Sequence, residues 1–347
     1  MEDEIDIEDL IEEQTCVYTL THAGYIKRLP ASEYHAQGRG GKGIRAMATK
    51  EEDYVETVFS ASTHDNILFF TSQGRVYVRK GYRIPEAGRN ARGSNIINIL
   101  PLQPGEKISA MVHARSYDEN SYLVFVTRNG TVKRLRQSEL KNIRSIGIRA
   151  LTLDEGDELI SVRQTDGAQN ILICTHDGYA ICFAETDIRP MGRNAMGVRG
   201  MTLRQGDYVV GAARARPEGM LLSVTENGYG KRTPIPEYIR GEDGPQHRGG
   251  KGIKNYKITE KTGKVAAVKV VDETNDLLVI TDDGTIIRMA VAGISVYGRA
   301  TQGVRLMRPA EGSRVISIEK VASEDQDEEE TEAPAQETPE PAESPEE

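Results

Sequence analysis

Tryptophan is absent from the 347 residues, phenylalanine occurs five times and cysteine three times. Cys16, Cys174 and Cys182 form no CxxC pair and cannot pair off evenly, which argues against a disulfide framework and suits a reducing compartment. The six histidines (His22, His35, His64, His113, His176, His247) are scattered, without HExxH or Cys/His spacing, so no metal site is expected. There is no GxSxG nucleophile elbow and no EF-type calcium loop in the acidic runs. No apolar run approaches the ~20 residues that cross a bilayer, and the N-terminus is acidic where a secretion signal would be basic and then apolar. A long amphipathic helical period is also missing. What remains is a soluble, cytoplasmic, strand-rich protein with no candidate for catalysis.

Charge is present in quantity but segregated. The net charge of −9 hides eight acids and no base in residues 1–13, and twelve acids and no base in residues 322–347. Residues 14–321 therefore carry 33 acids against all 44 Lys and Arg, an excess of 11 positive charges. A basic body points to a polyanionic partner. The expected organisation is an acidic segment over 1–13 with a possible ring-closing strand at Ile5 to Ile11, an ordered body over 14–321, and a tail over 322–347. That tail, rich in Glu and Pro, cannot bury a core and should be disordered.

The body repeats. A strand-like run ending in Thr, two residues and Gly occurs six times: Thr21 to Gly24, Thr71 to Gly74, Thr127 to Gly130, Thr175 to Gly178, Thr225 to Gly228 and Thr281 to Gly284. Apolar stretches such as Ile67 to Phe70 and Leu123 to Val126 precede the turns. Asn129, Asp177, Asn227 and Asp283 each stand before the turn glycine, a pairing that suggests type I′ hairpins. Units of about 50 residues holding roughly four strands are blade-sized, and six of them suggest a closed, propeller-like ring. The turn Thr and Gly are read as architecture only.

Each hairpin is followed by a glycine-bearing loop with an arginine: GRGGKGI from Gly38, GRNARGS from Gly88, IRSIGI from Ile143, GRNAMGV from Gly192, HRGGKGI from His247 and GRATQGV from Gly298. Arg39, Arg89, Arg144, Arg193, Arg248 and Arg299 occupy equivalent places. A second base follows in five copies, at Arg45, Arg149, Arg199, Lys254 and Arg305. The hairpin's own second strand is often basic, as at Lys27, Arg28, Arg79, Lys133, Arg134, Lys231, Arg232 and Arg288. Two readings stay open for any one of these cations, a strut to a neighbouring blade's carbonyls or a phosphate contact on a rim. The charge of the body favours the second, and Arg92 and Lys251 in the loops join the candidates.

The first loop, QGRGGKG, offers Gln37, Arg39, Gly40, Gly41, Lys42 and Gly43, and QHRGGKG repeats it at Gln246 to Gly252. Consecutive glycines would expose backbone N–H groups beside two cations. It is not a nucleotide-binding P-loop: Ala36 stands where the first glycine belongs, and Gly43 follows Lys42 in place of Ser or Thr.

Six TxxG units with this heptapeptide resemble the C-terminal domain of the DNA gyrase A subunit, whose hallmark is written QRRGGKG. Here Gly38 replaces the second-position Arg, and the copy at Gln246 carries His247 there. The resemblance covers about residues 5 to 321. It implies a six-bladed β-pinwheel, all-β, whose blades exchange strands and whose basic perimeter wraps duplex DNA in positive writhe, so that the enzyme introduces negative supercoils. It further implies that the catalytic tyrosine lies in the N-terminal part of gyrase A, that gyrase B hydrolyses ATP (with Mg), and that this chain holds no cofactor. The chain would be an isolated wrapping domain, a monomer by itself, with Met1 an artificial or an internal start. The acidic tail would compete with DNA for the rim. A related pinwheel, the C-terminal domain of the topoisomerase IV A subunit, generally has a degraded heptapeptide. A WD40 or kelch interaction scaffold would show Trp-Asp or aromatic double-glycine patterns and need no basic body.

Overall fold

The computed structural model describes residues 7–33, 53, 55–88, 90–239 and 245–322. They form six antiparallel sheets arranged as successive blades. In the first, the strand order is Val55–Ser62, Thr15–Thr21, Tyr25–Pro30 and Ser94–Asn95. The last of these is a two-residue strand that comes from beyond the second hairpin, so each blade is completed by a piece of the next unit. Ile148–Arg149, Val198–Arg199, Ile253–Lys254 and Val304–Arg305 do the same for blades two to five. The sixth sheet has three strands among the described residues, in the order Ile286–Ala290, Asn275–Thr281 and Val315–Ala322. This is the expected all-β pinwheel with exchanged strands.

Two of the expectations are corrected. Ile7–Leu10 is a 3-10 turn, not a strand; its acids Glu8 and Asp9 suit a turn better than a pleated, half-buried strand. The final strand runs to Ala322, one residue past the expected edge of the body.

The hairpin turns also differ from expectation. Among the described non-glycine residues only Asn142 has φ > 0, so Asn129, Asp177, Asn227 and Asp283 are not in type I′ turns. Instead the turn glycine alone is left-handed, with φ between 80° at Gly74 and 90° at Gly24, and its N–H donates to the Thr carbonyl three residues back at 3.0–3.1 Å. A three-residue loop with glycine in the left-handed region is the other common hairpin solution. The Thr side chain completes it: Thr21, Thr71, Thr127, Thr175 and Thr225 Oγ1 each accept the N–H of the residue after the glycine, at 3.1–3.3 Å. That bond explains why Thr recurs at this place.

Apolar side chains collect between blades rather than inside one common core. Five buried clusters each join two consecutive units, for example Leu68, Phe70 and Val76 of the second with Leu123, Phe125 and Leu135 of the third. The strands Ile108–Ala114, Leu159–Thr165, Val209–Arg214, Val265–Val271 and Val315–Ala322 approach one another from blade to blade and so line the axis. The two-residue exchanged strands, at the opposite edge of the first five sheets, form the perimeter.

Candidate nucleic-acid interface

The glycine-arginine loops lead directly into the perimeter strands, which fixes where their cations stand. Arg149, Arg199, Lys254 and Arg305, the second residue of each exchanged strand, are all exposed. In the loops, Arg92, Arg144 and Lys251 are exposed, while Arg193, Arg248 and Arg299 are half-buried. The Arg92 guanidinium lies over the Tyr25 ring at 3.9 Å, a cation-π contact that holds the charge on the surface. Arg248 Nη1 donates to the Arg199 carbonyl at 3.1 Å and Arg299 Nη1 to the Lys254 carbonyl at 2.9 Å, so each loop arginine is braced on the neighbouring perimeter strand. Arg248 Nε also donates to the Asp187 carbonyl at 3.0 Å, and five donors per guanidinium leave capacity for a phosphate beyond these bonds.

The closing glycine of each loop is obligatory. Gly93, Gly197, Gly252 and Gly303 have φ of 89°, 94°, 73° and 66°. A Cβ there would stand 2.3–2.5 Å from the carbonyl oxygens of Ile26, Val132, Ala180 and Gly230 in the adjoining blade. In the second heptapeptide copy the Gly249 N–H donates to the Gly200 carbonyl at 2.7 Å. That amide is engaged within the fold rather than open to an anion, and glycine is required at 249 by its left-handed φ of 91°, since a Cβ on Gly249 or Gly250 would meet nothing closer than 3.7 Å. Gln37, Arg39, Gly40, Gly41, Lys42, Gly43, Arg45 and Arg89 lie outside the described residues.

The hairpin bases need correction. Lys133 and Lys231 have no exposed surface, and Arg134 and Arg232 are 7% and 5% exposed, too deep to reach a phosphate. They are struts. Lys133 Nζ donates to the carbonyls of Ala150, Arg193 and Ala195 at 2.6, 2.8 and 3.2 Å. Arg134 Nε donates to the Ile188 carbonyl at 2.8 Å, and Arg232 Nε to that of Ile294 at 2.7 Å. Burial, opposed in part by Glu237 and aided slightly by Arg299, pulls the Lys231 ammonium down to about 7. Burial pulls Lys133 to about 8. Lys27 and Arg28 are half-buried in the same role, Arg28 Nε donating to the Ile84 carbonyl at 2.8 Å. Arg79 donates to the Ile99 and Ser145 carbonyls at 3.1 Å, and Arg288 pairs with Asp276 at 2.8 Å. The sequence left strut and contact open for each cation, and burial decides for strut on these hairpins: Lys133, Arg134, Lys231 and Arg232 lie in unbroken buried runs.

Two bases were missed. Arg204 stacks on Tyr179 at 3.4 Å and donates from Nη1 to the Lys251 carbonyl at 2.9 Å. Arg128 stacks on Tyr208 at 3.9 Å. Their signal was an arginine in or beside a turn near a tyrosine at the edge of a blade.

The family model described as DNA gyrase C-terminal domain, beta-propeller, matches this chain in six segments, residues 17–62, 65–114, 121–166, 169–216, 219–272 and 275–322. The chain belongs to this family. It is 48% identical to the DNA gyrase A subunit of Clostridium acetobutylicum over 324 residues, 93% of this chain and 38% of the relative. It is 46% identical to the DNA gyrase A subunit of Staphylococcus epidermidis over 326 residues, 93% of this chain and 36% of the relative. The chain thus spans a little over a third of the length of these relatives. Among solved structures it is similar to the C-terminal domain of DNA topoisomerase IV (TM-score 0.78, 26% identity, 92% of this chain and 97% of that one). It is also similar to a DNA gyrase A C-terminal domain (TM-score 0.68, 26% identity, 88% and 99%). The six matched segments follow the repeat units, and among the described residues no helix is long and apolar enough to cross a membrane.

Proposed function

We propose that this domain binds duplex DNA along its perimeter, largely independently of sequence, and holds it in a curve. The observation that carries the reading is the exposed base on the exchanged strand of four successive blades, Arg149, Arg199, Lys254 and Arg305. Bending 20–30 bp by up to 90° costs on the order of 1–6 kcal/mol, so a bend persists only where cations are distributed along an arc. Phosphate contacts position the duplex and carry no sequence information. Affinity then falls with salt at a slope of about −0.9 per neutralised phosphate.

In the assembled enzyme, where the N-terminal part of gyrase A and the whole of gyrase B are its partners, the curve acts as positive writhe and favours negative supercoiling driven by ATP elsewhere. The chain itself contributes no catalytic step. The likeness to the topoisomerase IV domain favours one second reading, in which the same rim selects DNA geometry instead of wrapping it fully.

Ligation of nicked circular DNA in the presence of the domain decides between them. A positive linking-number change is expected; an unchanged linking number at saturating protein refutes chiral wrapping. Replacing Gln37 to Gly43 by alanines is expected to abolish supercoiling by the reconstituted enzyme more than it weakens DNA affinity. Deleting residues 323–347 is expected to tighten binding at low salt, because those acids compete for the rim.

A further inference from the structure

The six units are not equivalent; they alternate. Three residues after the turn glycine stand Lys27, Lys133 and Lys231 in units one, three and five, but Tyr77, Ile181 and Ile287 in units two, four and six. The loops that lie over the three lysines share one sequence form, GRNARG from Gly88, GRNAMG from Gly192 and GRATQG from Gly298. The two described loops that lie over Tyr77 and Ile181 differ from that form and from each other, reading IRSIG from Ile143 and HRGGKG from His247.

The lysine and the loop meet in the same way each time. Lys27 Nζ donates to the carbonyls of the first and fourth loop residues, Gly88 and Ala91, at 3.1 and 2.9 Å. Lys133 takes the second and fourth, Arg193 and Ala195, at 2.8 and 3.2 Å. Lys231 takes the first, second and fourth, Gly298, Arg299 and Thr301, at 2.9, 2.6 and 3.0 Å. An ammonium has three donors and no acceptor, which matches a cage of carbonyls and nothing else. Buried carbonyls without a donor would be costly.

We propose that Lys27, Lys133 and Lys231 are positioning residues that preset the GRxxxG loops for phosphate contact. The ammonium draws the loop carbonyls toward the blade, so their negative ends do not face the DNA, and it fixes the turn that presents Arg92, Arg193 and Arg299. Among the described residues the rim then carries two kinds of loop in alternation, three caged by a lysine and, between them, two held by other donors, the Ile143 loop by Arg75 and Arg79 and the His247 loop by Thr202 and Arg204. This rests on the DNA-binding reading above.

The test uses the full chain with Lys27→Met and Lys133→Met. Amide exchange at Ala91 and Ala195, whose N–H groups donate to Gly88 and Gly192 at 3.0 and 3.2 Å, reports the loop turns without DNA. Exchange is expected to quicken by about two- to tenfold, the factor for a lost net hydrogen bond. The salt slope of duplex binding is expected to fall by about 0.9, the same fall expected for Arg92→Ala. The double variant Lys27→Met with Arg92→Ala should fall no further, because both act on one contact. Lys27 is half-buried, so its variant retains solvent access for the freed carbonyls and folds even where Lys133→Met does not. Wild-type exchange rates and an unchanged slope in a folded Lys27→Met protein overturn the proposal. If the amides quicken while Arg92→Ala leaves the slope intact, the DNA-contact reading of that loop fails and the hold of the lysine on the loop stands.

Discussion

Arg134 and Arg199 show how one residue type divides between two tasks. Arg134 sits on the second strand of a hairpin, 7% exposed, its Nε on the Ile188 carbonyl and its Nη1 3.4 Å from the Glu185 carboxylate, which is wholly buried. Arg199 sits on a two-residue perimeter strand, exposed, its own carbonyl accepting from Arg248. The positive excess of the body is therefore not all available to a polyanion. Part of it stitches blades together, because exchanged strands only two residues long need side chains to secure the loops that carry them. Another part faces outward along the perimeter edge.

Breaking the buried side of this comparison has the largest expected effect. Arg134→Met leaves the Glu185 carboxylate without its cation, with only Thr165 Oγ1 and the Gln169 N–H donating to it at 2.7 and 2.8 Å. Stripping one partner from a buried pair destabilises by about 3–5 kcal/mol. Arg199→Ala is expected to change stability by no more than about 0.5 kcal/mol, as for an ordinary surface site, while lowering the salt slope of DNA binding by about 0.9. Urea unfolding and salt titration of both variants read this directly. Equal losses of stability would erase the distinction between strut and contact.

A pair of glycines sharpens it at the next level. Gly192 opens a loop and a Cβ there meets nothing within 4 Å; Gly197 closes the same loop at φ 94° with a Cβ position 2.3 Å from the Val132 carbonyl. Gly197→Ala is expected to destabilise by about 1–3 kcal/mol through backbone strain, and Gly192→Ala by less than about 0.5 kcal/mol. Thermal unfolding of the two variants is the measurement. If Gly192→Ala proves the worse, the loop is not anchored at its closing end.

The fold was largely legible because a repeat writes its architecture six times over. Thr and Gly at each turn, the apolar strands and the spacing fixed the blades, and the exchanged strands came with the family resemblance. The turn type was misread at Asn129 and its equivalents because Asn-Gly favours a type I′ turn locally, whereas the Thr side chain here closes a three-residue loop whose only left-handed residue is glycine. The site was legible in outline but not in depth. Lys133 and Lys231 look like surface cations in the sequence, and only the carbonyls brought over them by the next unit turn them into interior groups. Such a partner lies about 60–70 residues away, as with Lys133 and Arg193, and no local pattern announces it.

A graded effect should come from pH, and it separates the two deepest cages from each other. Burial sets the folded pKa of Lys231 at about 7 and that of Lys133 at about 8, both below the unfolded value near 10.4. Folding therefore favours the deprotonated amine. This contribution to stability is complete above the unfolded value and is lost as pH falls through the folded one. Wild-type stability relative to Lys231→Met should thus begin to rise above about pH 7, by on the order of 1 kcal/mol per pH unit. Relative to Lys133→Met the rise should begin about one unit later. Urea unfolding of the three proteins across pH 6.5 to 9 measures both onsets. Differences that stay flat over that range would mean that the carbonyl oxygens keep both ammonium groups charged against the pull of burial.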